Sequence, residues 1–325
     1  MLESAHKQLT TSMFEQSGGS TVLLVVTPNP ALDVTYTVPA LRPHTTHRVA
    51  AVAAQAGGKG VNTARVLTAL GHRALSVLPL GGPTGAAVAA DLGAAGLPHR
   101  AVPVAGDTRR TVAVADPADA TLFNEPGPRI TPAEWRRLVA AVAAELPAAR
   151  VLVLSGSLPP GSPGDGYREL VALAREHGVP TVLDADGPAL TAALPAGPTA
   201  VKPNAAELLA ATGRTDVPAA AADLRRRGAG AVVASLGPDG LYALTAEGAW
   251  RCAPPEAVTG NPTGAGDAVV AALAAGLLTG AGWPAVLAEA VALSTATVLA
   301  PRAGRFDRAA HLRLRETVTA TAVPA

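Results

Sequence analysis

The sequence predicts an α/β fold: a mostly parallel central sheet with helices on both faces, plus a small antiparallel β-sheet. Three observations carry that expectation. Short, continuously apolar, β-branched runs recur, each closed by Gly or Pro, as strands buried on both faces of a parallel sheet are. Segments with apolar residues at helical spacing follow them and stop at glycine. Two stretches break this alternation with polar residues interleaved between apolar ones, the pattern of strands with one wet face.

In chain order, Thr21–Thr27 (TVLLVVT) reads as a buried strand ended by Pro28-Asn29-Pro30, and Val61–Leu70 as a helix stopped by Gly71. Ala74–Leu80 is a strand closed by Gly81-Gly82, and Gly85–Leu92 a helix closed by Gly93. The rhythm resumes with strand Val151–Leu154, helix Tyr167–Glu176, strand Thr181–Asp184, and helix Ala205–Thr212 ended by Gly213. Helix Ala219–Arg227, strand Ala231–Ser235 and the apolar helix Gly266–Leu278 complete it. The two polar-interleaved stretches, about 33–52 and 107–124, read as parts of one projecting sheet that serves as a lid or dimer surface, neither being followed by a crossover helix. Met1–Ser20 is mixed polar and reads as a disordered extension, leaving one domain over 21–325.

Composition narrows the function. The 325 residues carry 26 basic against 25 acidic side chains, net +1, so no general electrostatic pull toward nucleic acid or anionic membrane is expected. One cysteine, Cys252, excludes an internal disulfide framework and a Cys-cluster zinc site. The longest apolar runs, Ala268–Leu278 and Ala285–Ala300, are shorter than the ~20 residues that span a bilayer. These features point to a cytoplasmic protein. Aromatics are 3% of the chain, so Ala, Val and Leu must fill the core.

Two glycine-rich loops carry the chemistry. Asn261-Pro262-Thr263-Gly264-Ala265-Gly266-Asp267 leads straight into the apolar helix, where small residues let backbone N–H groups approach an anion and the helix start adds positive potential. Asp267 either caps that helix or accepts a proton from an attacking hydroxyl. Ala56-Gly57-Gly58-Lys59-Gly60-Val61-Asn62 is a second such entry: an ordinary tight turn with an exposed Lys, or a pocket where Asn62 holds sugar hydroxyls and Lys59 meets an anion. Neither fits a Walker P-loop or the dinucleotide fingerprint, which counts against P-loop NTPases and Rossmann dehydrogenases. Ser235-Leu236-Gly237-Pro238-Asp239-Gly240 closes a strand at the carboxyl edge of the sheet, where ligands of open α/β sheets sit. Lys202-Pro203-Asn204 also ends a strand, and Asn204 with Glu207 makes either a capping box or a ligand contact.

Taken together and in this order, GGKGVN at 57–62, SGSLPPG at 155–161, KPNAAE at 202–207, SLGPDG at 235–240 and NPTGAGD at 261–267 resemble the PfkB (ribokinase-like) carbohydrate kinases. The resemblance runs from about Thr21 to Arg308. TPNPALD at 27–33 and NEPGP at 124–128 look like the 1-phosphofructokinase / tagatose-6-phosphate kinase branch. The resemblance implies a ribokinase-like three-layer fold, ATP and Mg2+ as cofactors, and a phosphosugar substrate, fructose 1-phosphate first. It implies Asp267 as general base, with Gly264, Ala265 and Gly266 as the anion hole. Asp33, Gly58, Lys59 and Asn62 match sugar-contacting positions, and Arg109 an arginine that meets the substrate's phosphate from the lid. Ser155 and Ser157 fall near the sugar phosphate. Lys202, Asn204 and the Ser235, Gly237, Gly240 loop fall on the nucleotide side, with Glu207 at the position associated with magnesium. Thr111 stands where the branch usually has Asn, and Asn261 where the wider family often has Asp. Arg48 has a lid position that either reaches a phosphate or stays in solvent. Lids of this family often pair between subunits, which implies a homodimer.

Overall fold

In the computed structural model, which describes residues 22–117 and 119–324, the first apolar run forms β1 (Val22–Val26). The extension expected over residues 1–20 lies outside the described residues. The chain leaves the body for β2 (Ala31–Thr37) and β3 (Ala51–Gly57), enters the helix Lys59–Ala69, and returns as β4 (Ala74–Leu80) beside β1. The helix Gly82–Ala94 leads to β5 (His99–Pro103), and a second excursion supplies β6 (Arg109–Ala115) and β7 (Ala120–Asn124). The body continues with β8 (Ala149–Ser155), β9 (Thr181–Asp184), β10 (Ala200–Val201), β11 (Val232–Ser235), β12 (Leu241–Leu244), β13 (Ala249–Cys252) and β14 (Ala320–Val323).

The main sheet has ten strands in the order β14-β13-β12-β11-β10-β9-β8-β1-β4-β5. Neighbours from β5 to β11 are parallel, and β12, β13 and β14 add an antiparallel edge. Strand alternation divides the core. Leu24, Val26, Leu152 and Leu154 pack on one face with Trp135, Leu138, Leu170 and Leu224, while Leu23, Val25, Val151 and Val153 pack on the other with Leu67, Val270, Leu273 and Leu287. Helices therefore cover both faces, and each fully buried Val or Leu contributes roughly 1.5–3 kcal/mol.

The sequence pattern did not reveal β5, the β12–β14 edge or the helix Pro132–Glu145. That helix nevertheless carries a readable signal, a capping box in which Thr131 Oγ1 accepts from Glu134 N at 3.2 Å and Glu134 Oε2 accepts from Thr131 N at 2.7 Å.

The small sheet has the order β3-β2-β6-β7. It corrects two expectations. The outer pairs β2–β3 and β6–β7 are antiparallel, but the central β2–β6 pair is parallel, because both strands start at the body, after β1 and after β5, and run outward. β3 also extends to Gly57 and passes almost directly into the helix Lys59–Ala69, so the first lid stretch does lead into a helix. The consequence for function is geometric: the root of the lid and the glycine-rich turn after it are one continuous piece of chain.

Candidate active site

Successive parallel strands end at one edge in Thr27–Asn29, Ser155–Ser157, Asp184, Lys202–Asn204 and Ser235–Gly237. A cleft of 920 Å³ runs along that edge between the lid and the helix Ala265–Thr279. Asp33, Gly58, Lys59, Asn62, Arg109, Lys202, Asn204, Glu207, Ser235, Gly237, Gly240, Gly264, Ala265, Gly266 and Asp267 all line it. Of the residues expected from the sequence, Ser157 is set back: its Oγ lies 3.1 Å from Asn29 Nδ2, which also donates to Pro126 O at 3.0 Å. Asn29 thus ties three loops together.

Asp267 is the third residue of its helix and 6% exposed. It does not cap the helix. Gly264 holds that position in the left-handed region (φ 89°), so the carboxylate is free for another task. Asp267 Oδ2 accepts a hydrogen bond from Asn62 Nδ2 at 2.9 Å. Burial pushes its pKa up to about 7, and the Asp184 carboxylate pushes the same way; the Asn62 bond, Lys202 and Lys59 oppose. Of the neighbouring amides, Ala265 N–H donates to Pro262 O at 3.1 Å within the loop. The first-turn N–H groups at Gly266 and Asp267 have no acceptor within the helix.

Asp184 escaped the sequence reading. It is 1% exposed at the end of β9, with Lys202 Nζ at 3.4 Å and Lys59 Nζ at 3.6 Å from its Oδ1. Ser155 Oγ donates to its Oδ2 at 3.3 Å. Lys202 is 5% exposed, and its ammonium lies against Gly266, where an added Cβ would be 3.4 Å from Nζ. Burial pulls the Lys59 pKa down, but Asp184, Glu207, Asp267 and Asp186 outweigh it and raise the value overall. Two ammoniums thus meet over one buried carboxylate beside the helix start. A carboxylate at the carboxyl end of an expected parallel strand was the signal available for it.

At the lid end, burial pushes Asp33 up to about 6, opposed by a hydrogen bond from Thr111 and by the charges of Arg109 and Arg65. Thr111 thus supports Asp33, its cross-strand partner in the β2–β6 register. Arg109 Nε donates to Asn29 O at 3.1 Å and Nη1 to Glu125 O at 3.2 Å. The Asp33 carboxylate lies directly on Gly57, where a Cβ would fall 1.9 Å from Oδ2. Gly57→Ala is therefore expected to displace Asp33, with a roughly tenfold or greater loss in kcat/KM for the cleft's lid-side substrate; steady-state kinetics on the purified variant checks it.

At the opposite end, the capping-box reading of Asn204 holds. Its Oδ1 accepts from Glu207 N at 2.8 Å, and Glu207 Oε2 accepts from Asn204 N at 2.8 Å. Both residues still line the cleft. Beyond them Pro254, Ala257, Val258, Val291 and Val298 form an apolar end, with Ser294 and Thr295 beside it. Among the described residues there is no cluster of three or more His, Cys, Asp or Glu side chains that could hold a metal. No helix among the described residues is long and apolar enough to cross a membrane.

A mostly parallel sheet with helices on both faces, a separate small sheet, and a buried carboxylate at a helix start in the cleft are the architecture of the ribokinase-like phosphotransferases, as the comparisons with known proteins bear out. Residues 26–308 match the pfkB family carbohydrate kinases, and the chain belongs to that family. It is 40% identical over 283 residues to 1-phosphofructokinase of Rhodobacter capsulatus, covering 84% of this chain and 88% of that one. It is 36% identical over 272 residues to ATP-dependent 6-phosphofructokinase isozyme 2 of Mycobacterium tuberculosis, covering 81% and 79%. The fold is similar to that of phosphofructokinase-2 from Escherichia coli in complex with fructose-6-phosphate, with TM-score 0.85, 30% identity, and 91% and 98% coverage.

Proposed function

We propose that this kinase transfers the γ-phosphoryl group of ATP to a hydroxyl of a ketohexose monophosphate, fructose 1-phosphate before fructose 6-phosphate or tagatose 6-phosphate. The observation that carries the reading is the buried Asp267 carboxylate in the first turn of a cleft-lining helix, bonded by Asn62, with Lys202 and Lys59 near enough to act on its charge. Asp267 takes the proton from the attacking hydroxyl. The helix-start amides near Gly264 and Gly266, with Lys202 and Lys59 beside them, stabilise the migrating PO3 group. Ala265 shapes the turn and supplies no free N–H, since its own is held by Pro262 O.

Asp33 and Asn62 hold sugar hydroxyls across Gly58, and Arg109 meets the phosphate the substrate already carries, a task suited to a forked guanidinium. Ser157 supports that end through Asn29. Nucleotide phosphates run past Lys202, Asn204 and the Ser235–Gly240 turn, and the base enters the apolar end between Val258 and Val298. Glu207 commits Oε2 to its cap, so Oε1 is the oxygen that would help hold a Mg2+ ion, which would neutralise charge on the ATP phosphates. The lid excludes water and so favours transfer over hydrolysis. Val52 and Phe123 are exposed on one face of the lid, and we assign this surface to a homodimer. We assign the enzyme to the cytoplasm on the strength of the proposed ATP and phosphosugar substrates.

A coupled ADP-release assay across the three ketohexose phosphates tests the reading; no turnover with any of them would reject it. Arg109→Ala is expected to raise KM for the phosphosugar by about tenfold or more, with KM for ATP nearly unchanged. Equal effects on both would remove Arg109 from the phosphate site. A non-catalytic sensor is the competing reading, but it has no need of a carboxylate tuned near neutrality beside the phosphoryl path.

A further inference from the structure

β3 is an edge strand, yet its penultimate residue, Ala56, is fully buried. On one side Ala56 lies opposite Leu32 of β2. Its N–H and C=O turn the other way, where an edge normally meets solvent or another strand. Here an ion pair from two helices of the body takes both. Asp91 Oδ2 accepts from Ala56 N at 2.9 Å, and Arg65 Nη2 donates to Ala56 O at 3.3 Å and to Asp91 Oδ2 at 2.5 Å. Arg65 lies one helical turn after Asn62, the donor to Asp267. The loop at Gly304 presses on both, since a Cβ there would fall 2.9 Å from Arg65 Cδ and 3.2 Å from Asn62 Oδ1. Lid root, Asn62 helix and Gly304 loop converge on one side chain.

We propose that the Arg65–Asp91 pair is the pivot of the lid, and that both are positioning residues for the sugar half of the reaction. The proposal rests on the kinase reading for its catalytic consequence only. The pair fixes Ala56, and Ala56 is followed at once by Gly57, on which Asp33 lies, and by the turn that bears Lys59 and Asn62. A displacement of the root moves all four relative to Asp267, and a misplacement of ~1 Å in such a site lowers rate about 100-fold. The nucleotide-side turn Ser235–Gly240 stands at the end of β11, on the far side of the main sheet from β4 and β5, and does not feel the pivot.

The test uses the full chain with Arg65→Met, Asp91→Asn and the conservative Arg65→Lys. Amide hydrogen exchange reads the pivot itself: the Ala56 N–H should exchange about tenfold faster or more in Arg65→Met and Asp91→Asn. Phosphosugar KM should rise by about tenfold or more in Arg65→Met, with ATP Kd within about twofold, and Arg65→Lys should recover part of the loss. A pH profile separates positioning from bulk stability. The groups facing Asp33 are Thr111 and Arg109 of β6, and Arg65. Removing Arg65 removes a charge that lowers the Asp33 pKa, so the acid limb of phosphosugar binding should move to higher pH in Arg65→Met and stay in place in Arg65→Lys. Unchanged exchange at Ala56 in folded Arg65→Met and Asp91→Asn protein overturns the pivot, whatever the substrate proves to be. Equal rises in both KM values overturn the sugar-side assignment. Failure of the wild type to phosphorylate any ketohexose phosphate defeats the kinase reading instead, and leaves the exchange result to judge the pivot.

Discussion

Asp267→Asn is expected to lower kcat on the order of 10³-fold while ATP still binds. The substitution keeps the shape of the side chain and an oxygen that can accept the Asn62 hydrogen bond, so the helix start and the lysines beside it stay in place. What disappears is the proton acceptor. The same change removes a negative charge next to the phosphate path, so ATP affinity should hold or improve slightly. The wild-type pH profile supplies an independent check. Burial, with Asp184 behind it, raises the carboxyl pKa to about 7, and only the deprotonated form accepts a proton. Turnover should therefore climb with pH through an acid limb near 7, and the variant should lack that limb. Near-normal kcat in Asp267→Asn, or a wild-type limb near the ordinary carboxylate range, removes Asp267 from the chemistry.

The parts that were readable in the sequence are those whose physics is local. A strand closed by small residues and followed by a helix is a pattern within a dozen positions, so the loops at 57–62, 235–240 and 261–267 were found, and the fold brings them to one cleft. Asn204 and Glu207 were readable as a capping box for the same reason. Asp267 shows where a local rule misleads, because the usual reading of an acidic residue at a helix start is a cap, and here a glycine in the left-handed region takes that place. What stayed hidden depends on partners distant in sequence. Asp184 is one carboxylate at the end of a short strand, and its meaning comes from Lys59 and Lys202, far away on either side. Arg65 reads as one basic residue of a helix until Ala56 and Asp91 are seen beside it. The parallel β2–β6 pairing could not be read from alternation, which reports a wet face and not a direction.

Asp184→Asn is the second change expected to act strongly, and it acts on two properties in ways that can be told apart. Removing one member of a buried ion pair leaves the other charge uncompensated, at a typical cost of about 3–5 kcal/mol. Lys202, at 5% exposure, carries most of that burden, whereas the more exposed Lys59 can turn to water. Thermal stability should fall. The two ammoniums also lose the anchor that aligns them along the phosphate path, and kcat/KM should fall on the order of 10²-fold, comparable to deleting one stabilising donor of a developing anion. The pH profile moves in the direction that a merely structural role would not give. Asp184 is the second-largest cause of the raised pKa of Asp267, and its charge raises that pKa. Taking the charge away lowers the Asp267 pKa, so the acid limb of kcat should shift to lower pH even as the maximum falls. Loss of stability with an unshifted limb and full kcat would make Asp184 a structural ion only; a lowered limb with a lowered maximum places it in the electrostatics of the reaction.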